Sequence, residues 1–332
     1  MKNLVALFLI SCSLFSYAQE LKFVPKWKQG DKFKVLTKTK TKSLKKDTTW
    51  KVEKRSFESE LYVKSIRSDH FLIQITYKNF YLTMFKKAFE NIDEQPPTIS
   101  KLKLLFKVKK DGSNASLEKW KEIRDLVNDQ VKLVIQKSAS KKGEGKEYID
   151  SLNLMFSSIT EVWNSKESIE SMFDFEIEAF LAPFKTSFSK DTITTKIKVM
   201  NPFAKEKKDS IECQHLSWLS SKKGKLYDLG NTNIMDMSDY SELIKEMMKG
   251  MFSGFLKMAG DSTSEKYLKG KQKLDDMLDK IKFDIKEVNN FNYNAKTGYI
   301  LFYKKTSSNE GSMMGKPIKT EGWREVIFTK RL

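Results

Sequence analysis

The side chains best suited to nucleophilic chemistry in this sequence are Cys213 and His215. They are two positions apart in a segment that alternates like a strand, so both would project from one face and could form a thiolate–imidazole pair. Such a pair also needs a third group that orients the imidazole, and no residue can be assigned to that role. The paired Cys and His spacings of zinc sites are absent as well. We therefore interpret Cys213 as a buried structural thiol, and we expect no enzyme activity, no metal and no cofactor.

A group of carboxylates at Asp275, Asp276 and Asp279 is the other feature that could support acid–base chemistry. Lysines are interleaved with these aspartates, and oppositely charged residues three or four positions apart are typical of a solvated helix face. The sequence contains no phosphate loop, no nucleophile elbow and no dinucleotide-binding glycine fingerprint. A hydrolase is therefore the least favoured functional hypothesis, and the two favoured ones, given below, involve no catalysis.

A methionine-rich segment is the feature that most suggests a ligand site. The spacing of apolar residues predicts a helix from Asp239 to Met258, with a stripe wider than that of an ordinary surface helix. The residues that would line an apolar cavity are Met247, Met248, Met251, Phe252 and Phe255. Because methionine adapts to irregular partners, three interpretations stay open: an ordinary core helix, a soft lid over a lipid or other amphiphile, and copper binding through thioethers.

The elements that must position these side chains are marked by lysines that alternate with apolar residues. Leu102 to Val108 places an apolar residue at every second position and lysines between them, which predicts a half-buried strand. Asp111-Gly112 predicts a turn, and the change to a spacing of three or four predicts a helix from Leu117 to Lys137, capped by Asn114 or Ser116. This unit predicts an antiparallel sheet with lysines on one face and helices over the other.

The rest of the chain repeats these patterns. Asn164 and Glu167 form a capping pair for a helix that Pro183 ends, and a loose loop is expected around Gly311 to Pro317.

We predict an α+β fold, namely a large curved antiparallel sheet of about ten strands, half-barrel-like, with inserted helices packed over its apolar face. The predicted organisation is a signal peptide at 1–18 and a single domain at 19–332, divided into an N-terminal meander (31–110), a helical middle (114–183), strands (192–229), helices (239–281) and a C-terminal meander (283–332).

The first residues predict export. Lys2 is followed by an apolar run too short to span a bilayer, and Ser16-Tyr17-Ala18 supplies the small residues that signal peptidase accepts. The alternative is a lipoprotein signal ending at Cys12, which we disfavour because the apolar run continues beyond it. Cleavage near Ala18 would leave Cys213 as the one cysteine, so we expect no internal disulfide. We expect a periplasmic or envelope-associated protein with no transmembrane segment in the mature chain.

The formal charge of +18 is carried almost entirely by lysine, since 61 basic residues include five arginines. Specific recognition of bases and phosphates in nucleic acids favours the arginine fork, so we expect no nucleic-acid partner. A lysine-rich solvated surface explains the charge, and attraction to an anionic envelope surface is the alternative.

Several of these features together carry a resemblance. The export signal, the Gly30-Asp31 opening of the first strand, Lys110-Asp111-Gly112 before a helix and the Asn294 to Gly298 turn resemble a family of secreted proteins of unknown function from Gram-negative bacteria. The arrangement is also similar to the periplasmic lipoprotein-carrier superfamily. That resemblance implies a curved half-barrel that holds acyl chains beneath covering helices, but no functional residue of those carriers matches a position here.

Two functional hypotheses follow. The first is a non-enzymatic exported binding protein that holds a lipid or other amphiphile in an apolar cavity between sheet and helices. The second is a cell-envelope structural or interaction protein with a filled core and a basic partner-binding surface.

Overall fold

A computed structural model describes residues 20–45, 49–81, 98–142, 164–200, 210–235, 282–313 and 316–331, together with the helical residues Lys245, Lys269, Gln272 and Asp276. Eleven strands lie within this described part: β1 Lys32–Lys45, β2 Thr49–Ile66, β3 His70–Tyr81, β4 Thr98–Lys109, β5 Ala115–Glu118, β6 Ile193–Met200, β7 Ser210–Lys223, β8 Leu226–Met235, β9 Lys282–Asn294, β10 Tyr299–Met313 and β11 Lys316–Arg331.

The strands form one open antiparallel sheet in the order β5-β4-β3-β2-β1-β11-β10-β9-β8-β7-β6. Nearly every strand pairs with its neighbours in sequence, and the exception is the central pair of β1 with β11. The predicted fold class is confirmed, with eleven described strands where about ten were expected. The edges of the sheet are β5 and β6.

Alternation along each strand gives the sheet an inner and an outer face. Phe33, Val35 and Thr37 of β1 are buried on the inner face, whereas Lys32, Lys34 and Lys38 occupy alternate positions that point to the outer face. The same alternation holds in β3 and in β4, where every second residue from Leu102 to Val108 is buried. The predicted lysine face and apolar face are therefore both present.

Three helices are described, and the last two cover the inner face: α1 Trp120–Lys142, α2 Lys166–Phe173 and α3 Phe175–Leu181, which continues into a 3₁₀ turn at Ala182–Phe184. None of these described helices combines the length and apolar character that a membrane span requires.

Phe180 of α3 is the centre of the aromatic packing that joins the helices to the sheet. Its ring stacks on Trp27, with 4.8 Å between centroids, and also contacts Phe33 at 5.3 Å and Phe328 at 5.4 Å. Aromatic pairs at these distances add to the free energy already gained by burying the rings. Under α3 the inner face is thus filled by the protein's own side chains.

The helix predicted to start at Leu117 starts instead at Trp120. Residues Ala115–Glu118 form β5, in which Leu117 lies opposite Phe106 and is 1% exposed. Lys119 then adopts a positive φ of 56°, which ends the strand and lets the helix begin. A contact with β4 therefore overrides the local helical spacing.

The single helix predicted between Asn164 and Pro183 is divided in two. Its N-cap is Ser165 rather than Asn164, because the Ser165 hydroxyl accepts a hydrogen bond from the Ser168 N–H at 3.1 Å. Asp174 ends α2 and precedes α3. The break places both Glu176 and Ile177 against the sheet, where each is buried.

The loop expected around Gly311 to Pro317 is largely strand. Gly311 lies opposite Ile318 and Ser312 opposite Pro317, so β10 and β11 stay paired almost to their connection. The prediction gave weight to glycine and proline, but a proline near the start of a strand does not interrupt its pairing.

Candidate ligand cleft on the inner face

The inner face changes from apolar to charged as the strands run past α3. In β1 the buried Phe33, Val35 and Thr37 are followed on the same face by Thr39 and Thr41. Directly paired residues in an antiparallel sheet share a face, so the register extends this change across the sheet. One row of paired residues consists of Arg55 (β2), Thr39 (β1), Arg324 (β11), Lys305 (β10), Asn289 (β9) and Asn231 (β8).

A cleft of about 450 Å³ lies over this row, and Phe175 at the start of α3 forms part of its wall. The adjacent row contributes Glu53, Gly322 and Glu287 to the lining. A Cβ at Gly322 would lie 2.9 Å from the Lys40 carbonyl oxygen, so a larger residue there would push against the floor of the cleft. The cleft is thus beside the filled core, and its lining is polar.

Four basic residues line the cleft. Lys40 alternates with Thr39 and Thr41 and so belongs to the outer face, and the three on the inner face differ in how they are paired. Arg55 forms an ion pair with Glu53 at 3.2 Å, and Lys305 forms one with Glu287 at 2.6 Å. Arg324 has no carboxylate partner within the described ranges. Its guanidinium lies instead over the Phe175 ring, 4.1 Å from the centroid, in a cation–π contact. Arg324 is therefore positioned by an aromatic ring while its hydrogen-bond donors remain available.

A buried polar network supports the wall of the cleft. Glu176 is 4% exposed, and its two carboxyl oxygens accept hydrogen bonds from Thr37 Oγ1 at 3.0 Å and from the Tyr77 hydroxyl at 2.6 Å. Burial, followed by the charge of Glu176, raises the pKa of Tyr77 well above its ordinary value. Tyr77 therefore stays protonated and remains a donor to Glu176, which holds α3 on the sheet.

A second chain of hydrogen bonds continues from the cleft toward β8. The Tyr303 hydroxyl donates to Asn289 Oδ1 at 2.8 Å, and Asn289 Nδ2 donates to Asn231 Oδ1 at 2.8 Å. Burial is the main cause that raises the pKa of Tyr303, and the charges of Glu178 and Glu287 act in the same direction. The row beside Lys305 is therefore fixed in its orientation and neutral.

Asp174 has the most perturbed carboxyl group at this end of the helices. Burial raises its pKa from 3.8 to about 7, the charge of Glu178 adds to the increase, and Lys185 and Lys305 oppose it. Its side chain makes no cap hydrogen bond to α3. An acid in this environment is protonated and ionised in comparable amounts near neutral pH.

Cys213 and His215 both lie on β7 and share a face, but each makes its hydrogen bond to a different residue. The Cys213 thiol is buried and approaches the Gln214 carbonyl oxygen at 3.5 Å, whereas His215 Nδ1 donates to Asn233 Oδ1 at 2.7 Å. Burial raises the pKa of Cys213. A thiol of raised pKa is a poor nucleophile at neutral pH, which supports the interpretation as a structural thiol.

The Met-rich candidates Met247, Met248, Met251, Phe252 and Phe255 lie outside the described residues, and so do Asp275 and Asp279. Their role stays a prediction. In the described part of the chain, no group of three or more His, Cys, Asp or Glu side chains is arranged to hold a metal ion.

Sequence reasoning did not single out Arg55, Arg324, Lys305 or Glu176 as site residues. Two signals were available. Arg55 and Arg324 are two of only five arginines in a chain whose positive charge is otherwise lysine. Glu176 lies three positions after Phe173 and four before Phe180, so an acid occupies the apolar stripe of the helix.

Comparisons with known proteins add little to this geometry. No family model matches the sequence, and no curated protein matches it either. Among solved structures, the chain is similar to part of a lipovitellin chain from a study of lipid–protein interactions, with 8% identity and a TM-score of 0.38, over 92% of this chain and 25% of that one. It is also similar to an outer membrane channel from Pseudomonas putida F1, with 5% identity and a TM-score of 0.18, over 92% and 98% of the two chains. The chain thus spans about a quarter of the lipovitellin chain, and likenesses at these TM-scores carry no inference about its function.

Proposed function

We propose that this protein is a non-enzymatic binding protein that holds an anionic amphiphile, with the acid group of the ligand in the cleft at Arg324. The observation that carries the proposal is the guanidinium of Arg324, held over Phe175 without a carboxylate partner in the described part of the chain. Arginine binds carboxylates and phosphates with two parallel hydrogen bonds, which are stronger than those between neutral groups.

The surrounding charges support a single acid group at this position. Arg55 and Lys305 flank Arg324 in the register row, and their own partners Glu53 and Glu287 face the next row. In each of these two ion pairs the charges of the lysine or arginine and its glutamate nearly cancel. The excess positive charge on the inner face of the cleft therefore comes from Arg324. A ligand with one carboxylate or phosphate would neutralise it.

The apolar part of the ligand cannot lie under α3, because Phe180 and its neighbours fill that space. We therefore place it beside Phe175 at the mouth of the cleft. Met247, Met248, Met251, Phe252 and Phe255 stay the residues predicted from the sequence to contact an acyl chain, because their side chains are apolar and adaptable. Export, with cleavage near Ala18, and an envelope location are part of the same proposal.

The test compares an acid with its neutral analogue. Binding of a fluorescent C18 fatty acid and of the matching fatty alcohol is measured for the wild type, Arg324→Gln and Arg331→Gln. Arg331 is the matched control, since it loses the same charge but is paired with Glu60 on the outer face. We expect Arg324→Gln to weaken acid binding about tenfold, or about 1.4 kcal/mol, with little effect on the alcohol.

Met251→Ala should weaken binding of both molecules, because it would remove an apolar contact rather than a charge. Equal binding of acid and alcohol by the wild type, or equal losses in the two arginine variants, would refute the assignment of the acid group to Arg324. Absence of any saturable binding, together with no lipid in an organic extract of the purified protein, would remove the proposal altogether.

A second candidate function rests on the outer face of β4. Lys101, Lys103 and Lys109 point outward there without an ion pair to any described residue, and they form a basic strip suited to an anionic envelope surface. Attraction of this kind is screened within about 8 Å at physiological ionic strength. Vesicle binding that disappears at high salt would favour this function, and binding that survives would favour an apolar contact.

A further inference from the structure

A separate pocket of about 600 Å³ lies where β3 begins and β4 ends, away from the inner-face cleft. Its walls include His70 from β3, Lys107 and Lys109 from β4, and Lys110 and Asp111 from the turn. His70 lies directly opposite Lys109 in the register, so both side chains are on the same face of the sheet. The turn itself is compact, because Gly112 has a φ of 76° and lies against Phe184.

The two carboxylates of the pocket are already engaged by their own neighbours. Asp69 accepts a hydrogen bond from His70 Nδ1 at 2.6 Å and lies 3.6 Å from Lys107 Nζ, and the hydrogen bond to His70 is the main cause that lowers its pKa. Asp111 accepts from the Ser113 N–H at 2.9 Å, which lowers its pKa. Each carboxylate therefore already accepts a hydrogen bond from a residue close to it in sequence.

Three lysines and two aspartates line the pocket, so one positive charge is in excess. It is shared between Lys109, whose charge also lowers the pKa of Asp111, and Lys110. Within the described ranges neither forms an ion pair. The Lys110 ammonium is held 4.5 Å from the centroid of the Phe71 ring, which positions the charge without neutralising it. The His70 side chain is 17% exposed, so its imidazole forms a wall of the pocket rather than a free surface group.

We infer that this pocket binds a phosphate group, either as the free ion or as a phosphomonoester of a lipid head group. Lysine binds phosphate as a point charge, and two ammonium groups at the edge of one concavity can share the oxygens of a single tetrahedral anion. The pocket is larger than a phosphate ion, so an esterified phosphate also fits. The inference does not depend on the function proposed for the Arg324 cleft.

The test uses two double variants that lose the same charge. Lys109→Gln with Lys110→Gln removes two of the three ammonium groups of the pocket, and Lys38→Gln with Lys54→Gln removes two exposed lysines of β1 and β2 that lie outside it. Binding of inorganic phosphate is followed by calorimetry. Binding to vesicles of phosphatidic acid in phosphatidylcholine, and to phosphatidylcholine alone, is followed by sedimentation. A thermal melt of each variant confirms that it is folded.

We expect the pocket variant to lose at least tenfold in affinity for phosphate, for phosphatidic acid vesicles, or for both, while the control variant changes less than twofold. Loss in the phosphate arm identifies the free ion as sufficient, and loss in the vesicle arm alone identifies the esterified group. Equal losses in the two double variants would show that overall charge attracts the anion, and would overturn the inference. Absence of binding by the wild type in both arms would overturn it as well.

Discussion

Replacing Asp174 with asparagine should stabilise the protein, and the gain should be larger at pH 8 than at pH 4. The carboxyl has a pKa of about 7 in the folded protein against an ordinary value of 3.8, because burial and the charge of Glu178 disfavour its ionised form. Below about pH 4 the Asp174 carboxyl is protonated in both the folded and the unfolded protein, so it does not lower the free energy of unfolding. Between about pH 4 and 7 only the unfolded chain ionises, so the free energy of unfolding falls as the pH rises. Above about pH 7 the full cost is present.

The size of the effect follows from the two pKa values. Each pH unit between them corresponds to about 1.4 kcal/mol, so a pKa of about 7 against 3.8 sets an upper limit of about 4 kcal/mol. Asp174 is only half-buried as a residue, and water can relax around its charge. We therefore expect the asparagine variant to be more stable by about 1 to 2 kcal/mol at pH 8 and by less than about 0.5 kcal/mol at pH 4.

Urea denaturation of the wild type and Asp174→Asn at pH 4 and pH 8 measures both values. Asp174 makes no cap hydrogen bond to α3, so asparagine removes the charge without removing a cap. Asp191→Asn is the matched control, because Asp191 is exposed and makes no ion pair with a described residue. A stability difference that does not change with pH, or an asparagine variant that is less stable at pH 8, would refute the reasoning.

Two further predictions concern the core and the thiol. Phe180→Ala should lower the free energy of unfolding by about 3 to 5 kcal/mol in urea, because it leaves a cavity among Trp27, Phe33 and Phe328, whereas Phe57→Ala should cost less than about 1 kcal/mol since Phe57 is 39% exposed. Similar losses in the two variants would contradict the central role of Phe180. Cys213 should react with iodoacetamide slowly in the folded protein and rapidly in urea, because burial raises its pKa; rapid alkylation of the folded protein would contradict a structural thiol.

The strands could be predicted from the sequence because their signal is local. Every second residue is apolar from Phe71 to Tyr77 in β3 and from Leu102 to Val108 in β4, and lysines alternate with phenylalanine, valine and threonine along most of β1. Each segment therefore specifies its own faces without reference to any other. Leu117 shows where this reasoning fails. Its spacing to Trp120 and Ile123 fits a helix, yet its position opposite Phe106 makes it a strand residue, and only the pairing of β4 with β5 decides between the two.

The charged cleft could not be predicted for a related reason. Arg55 and Arg324 belong to strands near opposite ends of the sequence, and they become neighbours because β1 pairs with β2 on one side and with β11 on the other. No pattern within either strand predicts that these two arginines lie close together. Glu176 was visible as an acid within an apolar stripe, but its partners Thr37 and Tyr77 lie on the sheet and are known only from the fold.

The central pairing of β1 with β11 also determines when the sheet can be completed. Lys32 lies opposite Arg331, so β1 cannot pair with β11 until β11 has left the ribosome. Until then the chain offers two separate meanders whose edge strands, β1 and β10, lack their partners, and contacts this distant in sequence form slowly. We expect the nascent chain to remain incompletely folded, with the β1 edge unpaired, until β11 has been synthesised. A nascent chain arrested before β11 should therefore be cleaved by protease far faster than the released protein.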